Sequence, residues 1–396
     1  MTIRHLRHGE PPKGLTRSDT EEARREGERH RRAMPLTRLL GNGMEYWDAT
    51  RLHELAGGGY AWHQVGEWLG DRNIAQAEHA LTLDHRITAR ALFRRATACY
   101  RFAQSAFPSD TDVKRALYVK LIAAFGRAAA LETPPGEHLE IAFRGSTLCS
   151  WLLRPARQER APVVIIIGGA DGWREEYQEG ARHLLERGIA VLLAELPGQG
   201  ETRLMRGLYL AEDVDRAVGA MLDHLTNDER LLPKVGIWGN SMGGSFAAFA
   251  ASRERRLAAC CVNGGSATPA EVIERFPSIV EKLQAMVGAE ARSTARSTAR
   301  NTTTTAATDL IAALSVTGDD NHIDCPLLVL HGEPDRIFLL ENARRLYDEA
   351  PTRDKELVIW DDGEHCLYNH SEEKHALVAD WFAARLLSQS NEEERA

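Results

Sequence analysis

Six short apolar runs, each closing on glycine or a turn, constrain the fold of this chain more than any other feature: APVVIIIGG, GIAVLLAELPG, KVGIWGNS, LAACCVNGG, CPLLVLHG and ELVIWDDG. They are continuous runs rich in Val, Ile and Leu, as expected of strands buried on both faces. Between them lie stretches with helical spacing, EEYQEGARHLLERG, LAEDVDRAVGAMLDHL, GGSFAAFAASRE and NARRLYDEA. Strands alternating with helices predict an α/β domain, a mostly parallel central sheet with helices on both faces. HLEIAFRG and STLCSWLLRP, just ahead of the first run, read as a leading hairpin. In such sheets reactive groups gather in the loops beyond the carboxyl ends of the strands, which is where the glycine-rich endings fall.

The chain changes character near Pro134-Pro135-Gly136. Before that break strand-like runs are scarce, and in ITARALFRRATACYRFAQSAF the residues Ala91, Leu92, Ala96, Tyr100, Ala103 and Phe107 recur at helical spacing. The expectation is therefore an all-helical domain over 1–135 and the α/β domain over 136–396. The opening 30 residues, with EEARREGERHRR, read as a solvated helix or a mobile arm. Tyr46, Trp47, Tyr60, Trp62, His63 and Trp68 make one segment of the helical domain aromatic; at helical spacing they read as core before substrate wall. ARSTARSTARNTTTTAATD, residues 291–309, is low in complexity, rich in β-branched residues and poor in anything to bury. It predicts a surface excursion or disordered loop, a tolerated insertion in preference to a lid.

Charge and cysteine usage exclude several classes of partner. With 57 acidic and 49 basic residues and a net charge of −8, the chain offers no general attraction to phosphate backbones or anionic membranes. MTIRHLRHGEPPKG has no apolar core of a signal peptide, and no window approaches the roughly 18 apolar residues of a membrane span. The expected setting is cytoplasmic, with a small-molecule substrate and neither nucleic acid nor membrane as partner. The six cysteines show no C-x-x-C spacing and sit mostly in apolar runs, so they read as buried reduced thiols. The histidines show no ligand spacing, so neither a metal nor a cofactor is called for.

One motif carries chemistry. In VGIWGNSMGG a strand-like run meets a helical one at Gly239-x-Ser241-x-Gly243, the context of a nucleophile elbow. The glycines remove side chains that would clash in so sharp a turn, and Ser241 Oγ is pushed into the cleft. The Met242 N–H, at the helix start, then points at an oxyanion. A serine needs a base, and the base an acid, in the order Ser, acid, His. LLVLHGEPDRIF supplies Asp335 and ELVIWDDGEHCLYNH supplies His365, one strand and one helix apart. His331 precedes the acid and reads as structural; Glu333, Glu364, Asp361 and Asp362 are weaker choices for the acid. A second oxyanion donor is expected from Gly169 or Ala170, after Gly168 in VVIIIGGADGWREEY, while ELPGQGET shapes the floor of the site.

Together GNSMGG, CPLLVLHGEPDRIF, DDGEHCLYN, GQGET and the helical GDRNIAQAEHALTLDHRITARALFRRATACYRFAQ resemble α/β-hydrolases of the 2,6-dihydroxypseudooxynicotine hydrolase type. Related groups are the fermentation-respiration switch protein and the fungal polyketide-shortening hydrolases of pigment pathways. The likeness runs from about residue 45 to about residue 385, and its more specific part is the helical pattern. The resemblance implies an α/β-hydrolase fold with the helical domain as a cap, a Ser-His-Asp enzyme, a homodimer, and in several members hydrolysis of a carbon–carbon bond next to a ketone. Ester, thioester and ketone substrates use the same groups, so the triad does not choose among them. A cyclase or acyltransferase would use them too, whereas a purely binding protein has no need of all three residues.

Overall fold

The structure, a computed structural model, describes residues 14–170, 172–288 and 302–387. It divides into two compact units, one comprising the chain to Phe107 with Ala116–Ala128, the other Pro108–Arg115 with the chain from Ala129 onward. The division is not a single cut near residue 135, because one helix, Asp112–Ala129, starts in the second unit and runs through the first.

The first unit is helical: α1 Glu21–Ala33, α2 Leu36–Gly41, α3 Tyr46–Gly57, α4 Trp62–Thr82, α5 Arg86–Gln104 and most of α6 Asp112–Ala129. Charged as it is, α1 does not wave free. Thr20 caps it by accepting from Ala23 N, and its face at Gly27 is buried so closely that a Cβ there would lie 2.1 Å from the Ala56 carbonyl oxygen of α3. Of the opening segment, Glu21–Ala33 is helix, and residues 1–13 lie outside the described residues. Gly66 and Gly70 of α4 let α5 approach at Ala103 and Tyr100 in the same way. The aromatic segment behaves as core at Trp62, which is buried and donates Nε1–H to the Phe102 carbonyl at 2.9 Å, with Trp47, Tyr60 and Trp68 packed around that cluster. Tyr46 breaks the expectation and is 65% exposed.

The second unit is built on an eight-stranded sheet: β1 Glu137–Phe143, β2 Ser146–Leu153, β3 Ala161–Ile167, β4 Ala190–Ala194, β5 Leu231–Asn240, β6 Leu257–Asn263, β7 Leu327–Gly332 and β8 Lys355–Trp360, among the described residues. Its order is β1-β2-β4-β3-β5-β6-β7-β8. β1 pairs antiparallel with β2 and β2 antiparallel with β4, while every later pairing is parallel. Continuous apolar strands are explained by burial on both sides: in β3, Val163, Ile165 and Ile167 join a core shared with the helices Val214–Thr226 and Met242–Arg253. Trp238 of β5 faces the other way, against Gly180 and His375 of the helices Gln178–Glu186 and Ser371–Leu386. The order in which strands are added reverses here, β3 leading outward to β4 on one side and β5 to β6 on the other, which makes the carboxyl ends of β3 and β5 the switch point where such sheets form a crevice.

The threonine-rich stretch corrects the sequence reading. Residues 291–301 of it lie outside the described residues, but Thr302–Ala313 is a helix, not a loop. Ala307, Ile311 and the following Leu314 are buried against the core of the sheet unit, and that burial outweighs the weak helix propensity of threonine. Among the described residues no helix is long and apolar enough to cross a membrane.

Candidate active site

The crevice between β3 and β5 is where the predicted residues meet. Ser241 follows β5 directly and begins the helix Met242–Arg253 with φ 58° and ψ −133°, a conformation L side chains rarely adopt. The glycines around it are required by space. A Cβ on Gly239 would lie 2.0 Å from the Gly243 carbonyl oxygen, and one on Gly243 would lie 2.3 Å from that of Gly168. The Ser241 N–H is held by the Asn263 carbonyl of β6 at 2.8 Å, so the elbow is tied to the neighbouring strand.

His365 lies in the loop after β8, with Nε2 2.8 Å from Ser241 Oγ and Nδ1 2.7 Å from Asp335 Oδ2. Asp335 is buried in the loop after β7, and its other oxygen accepts from Ile337 N at 2.7 Å and Phe338 N at 3.3 Å. With both Asp335 oxygens occupied as acceptors, the proton of a neutral His365 belongs on Nδ1, leaving the Nε2 lone pair facing the serine. Burial alone would favour neutral forms. It is outweighed at Asp335 by His365 and the loop N–H groups, which lower its pKa. At His365, burial lowers the pKa but is outweighed by its neighbours Cys366 and Asp335, with Nδ1 against the Asp335 carboxylate, and the pKa is raised.

The competing residues sort themselves by burial. Glu333, Asp361 and Asp362 are exposed, and Asp362 pairs with His370 at 2.7 Å. Glu364 is half-buried at the start of the loop, its N–H donated to Asn369. His331 is fully buried, its Nε2 3.3 Å from the Phe338 carbonyl and 3.9 Å from Asp335 Oδ2, and burial lowers its pKa. It is the structural histidine expected, set behind the acid.

Of the oxyanion candidates, Met242 begins the helix, so its N–H has no partner four residues back within it. Gly169 lies against the elbow: a Cβ there would be 2.8 Å from Ser241 Cβ and 3.1 Å from Met242 N. Ala170, the next residue, packs half-buried on the sheet core. The loop holding them is fixed by a residue the sequence reading left as floor. Gln199, fully buried after β4, donates Nε2–H to the Gly168 carbonyl at 2.5 Å and the Gly169 carbonyl at 2.9 Å, while its Oε1 accepts from Leu196 N. Gln199 thus fixes the backbone of the loop beside the elbow, with the Gly169 carbonyl also accepting from Gly172 N at 2.9 Å.

Arg174, further along the same loop, is wholly buried and meets Glu195 at 3.2 Å, Glu175 at 2.9 Å and Glu201 at 2.6 Å. Nothing in DGWREEY singles this arginine out in the sequence; only the fold shows the two carboxylates of ELPGQGET, Glu195 and Glu201, closing on it. Three ligand-type groups, His138, Cys149 and Glu201, come within 4.8 Å of one another here among the described residues. Glu201 Oε2 is already shared by His138 Nε2 at 2.9 Å and Arg174 Nη2 at 2.6 Å, so a guanidinium fills the position a cation would take. Lys374 is the other unforeseen group, buried on the last helix with Nζ donating to the Cys366 carbonyl at 3.0 Å. Burial pushes its pKa down to about 8 against the pull of Cys366, Cys261 and Glu176. The cysteines are all free, five of the six buried.

This arrangement has relatives. The α/β hydrolase fold family matches residues 161–310, and the serine aminopeptidase S33 family matches 280–372. The chain is 26% identical over 321 residues to the 2,6-dihydropseudooxynicotine hydrolase of Paenarthrobacter nicotinovorans, covering 81% of this chain and 83% of that one. It is 30% identical to the α/β hydrolase gkaG of Penicillium citrinum over 213 residues, half of each chain. The crystal structure of the 2,6-dihydroxy-pseudo-oxynicotine hydrolase superposes with a TM-score of 0.77 at 26% identity, over 89% of this chain and 96% of that one. With its sheet order, its elbow and these likenesses, this chain has the α/β-hydrolase fold and is similar to hydrolases built on it.

Proposed function

We propose that the chain is a serine hydrolase that works through an acyl-enzyme and cleaves a carbon–carbon bond next to a ketone in an aromatic or polyketide-like small molecule. The observation that carries the serine reading is the continuous line Ser241 Oγ, His365, Asp335, with separations of 2.8 Å and 2.7 Å, behind a serine in a left-handed backbone. The likeness to a pseudooxynicotine hydrolase over more than four-fifths of the chain supports the ketone.

In this mechanism His365 Nε2 takes the Ser241 proton as Oγ attacks the carbonyl carbon, and Asp335 steadies the imidazolium. The oxyanion is received by the Met242 N–H and by a second N–H from Gly169 or Ala170. Collapse of the tetrahedral adduct expels the neighbouring carbon with its bonding electrons, as an enolate or electron-rich arene, and His365 returns the proton to it. Water, deprotonated by the same histidine, then cleaves the acyl-enzyme and leaves a carboxylate.

The test is product analysis in ¹⁸O-labelled water with p-nitrophenyl esters, acyl thioesters, and aryl and β-diketones. Ser241-dependent cleavage of a ketone, with label in the carboxylate, is expected. Ser241→Ala should lose on the order of 10⁶-fold in kcat with the fold intact. Turnover confined to esters or thioesters would replace the carbon–carbon reading with an esterase one; a cyclised product without label would show that an internal nucleophile takes the acyl group.

A further inference from the structure

His365 is held in place by an unusual piece of backbone. The two residues after it, Cys366 and Leu367, both have left-handed φ, 56° and 57°, and neither is glycine. A non-glycine pair in that region persists only where its surroundings fix it. Besides the Leu367 N–H, which donates to the Glu364 carbonyl at 2.8 Å, two side chains converge on one atom of this turn, the Cys366 carbonyl oxygen, which accepts from Lys374 Nζ at 3.0 Å and from Asn263 Nδ2 at 3.2 Å. Asn263 also donates Nδ2–H to Asn240 Oδ1 at 2.9 Å, and its own carbonyl accepts the Ser241 N–H at 2.8 Å. Asn240, Asn263, Cys366 and Lys374 are all nine-tenths buried or more. One polar string therefore runs from the strand end before the serine, through β6, to the turn behind the histidine and on to the last helix.

We propose that Lys374 and Asn263 are positioning residues that clamp the Cys366 carbonyl and so lock the left-handed turn that aims His365 at Ser241. The inference rests on the triad reading above. Neither residue touches the imidazole, so both act through backbone geometry. A buried lysine is a poor choice for stability, because it carries an amine out of water. A methionine of similar length keeps the packing and discards the charge, so a merely structural lysine would be replaced at no loss. A clamp would not be, because a shift of about 1 Å in a reacting group costs about 100-fold in rate.

The experiment compares wild type, Lys374→Met and Asn263→Ala by thermal melting, by the rate of Ser241 labelling with a fluorophosphonate, and by the low-field NMR signal of the His365 Nδ1 proton. Expected for Lys374→Met is a Tm at or above wild type, labelling slowed 10- to 100-fold, and a shifted or broadened His365 signal. Asn263→Ala removes the other donor to the same carbonyl and should slow labelling likewise; it carries the test from the sheet side if Lys374→Met is recovered unfolded. Wild-type labelling rates in the folded variants, with an unmoved proton signal, would overturn the clamp while leaving the triad standing. Wild type that fails to label would overturn the triad reading and the clamp together.

Discussion

An imidazole whose Nδ1 faces a buried carboxylate at 2.7 Å binds a proton more tightly than a free one, and that has a sign that can be measured. His365 serves as base only when neutral, and its pKa is raised, so kcat/KM should fall with decreasing pH earlier than for an ordinary histidine. The acid limb is expected above about 6.5. Asp335→Asn removes the carboxylate; the limb should then move to lower pH and kcat should drop by about 10⁴-fold. Glu333→Gln, on an exposed side chain two residues away, should change neither. A pH–rate profile of the three proteins decides it, and a limb that stays in place in Asp335→Asn would remove Asp335 from the triad. Ser241, Asp335 and His365 could be singled out in the sequence because each stands within five residues of the end of an apolar run that reads as a strand. Gln199, Asn263 and Lys374 could not, since their work is done on backbone carbonyls, and no pattern of residue types marks which carbonyl a side chain will find.

At the scale of elements, glycines that permit close approach separate what sequence shows from what it hides. Gly239 and Gly243 are visible because they flank a serine at a strand end. Gly27 sits in a run of Arg and Glu and looks like a weakness in a solvated helix, where alanine would be the better helix former by about 1 kcal/mol. In the structure that position is the contact of α1 with α3, with the Ala56 carbonyl in the path of any Cβ. Gly27→Ala should therefore lower the melting temperature of the protein, against helix propensity. A rise in Tm by circular dichroism would mean that α1 is not docked there. The helix Thr302–Ala313 makes the complementary point: the threonines concealed an apolar stripe at Ala307 and Ile311 that was too short to register as periodicity, and tertiary burial settled its conformation.

For the molecule as a whole, the parallel sheet was readable because β3 to β7 are buried along most of their length and read as short runs dominated by apolar residues. What no run discloses is how the loops at the sheet's carboxyl end are held, and there the structure uses ion pairs from loops distant in sequence. Glu201 shows how these bear on global stability. Burial opposes its charge, yet His138 and Arg174 outweigh burial and bring its pKa down from 4.5 to about 2. A carboxylate whose folded pKa lies below its unfolded one stabilises the fold above the unfolded value and loses that contribution as pH falls toward the folded value. Glu201→Gln cannot titrate, and the other carboxylates cancel in a comparison of the two proteins. Denaturant melts should find the variant less stable than wild type at pH 6, with the gap closing between about pH 4.5 and about pH 2. A gap that does not change with pH would show that Glu201 contributes by shape and hydrogen bonding and not as an ion, and Arg174 would then be balanced by Glu195 and Glu175 alone.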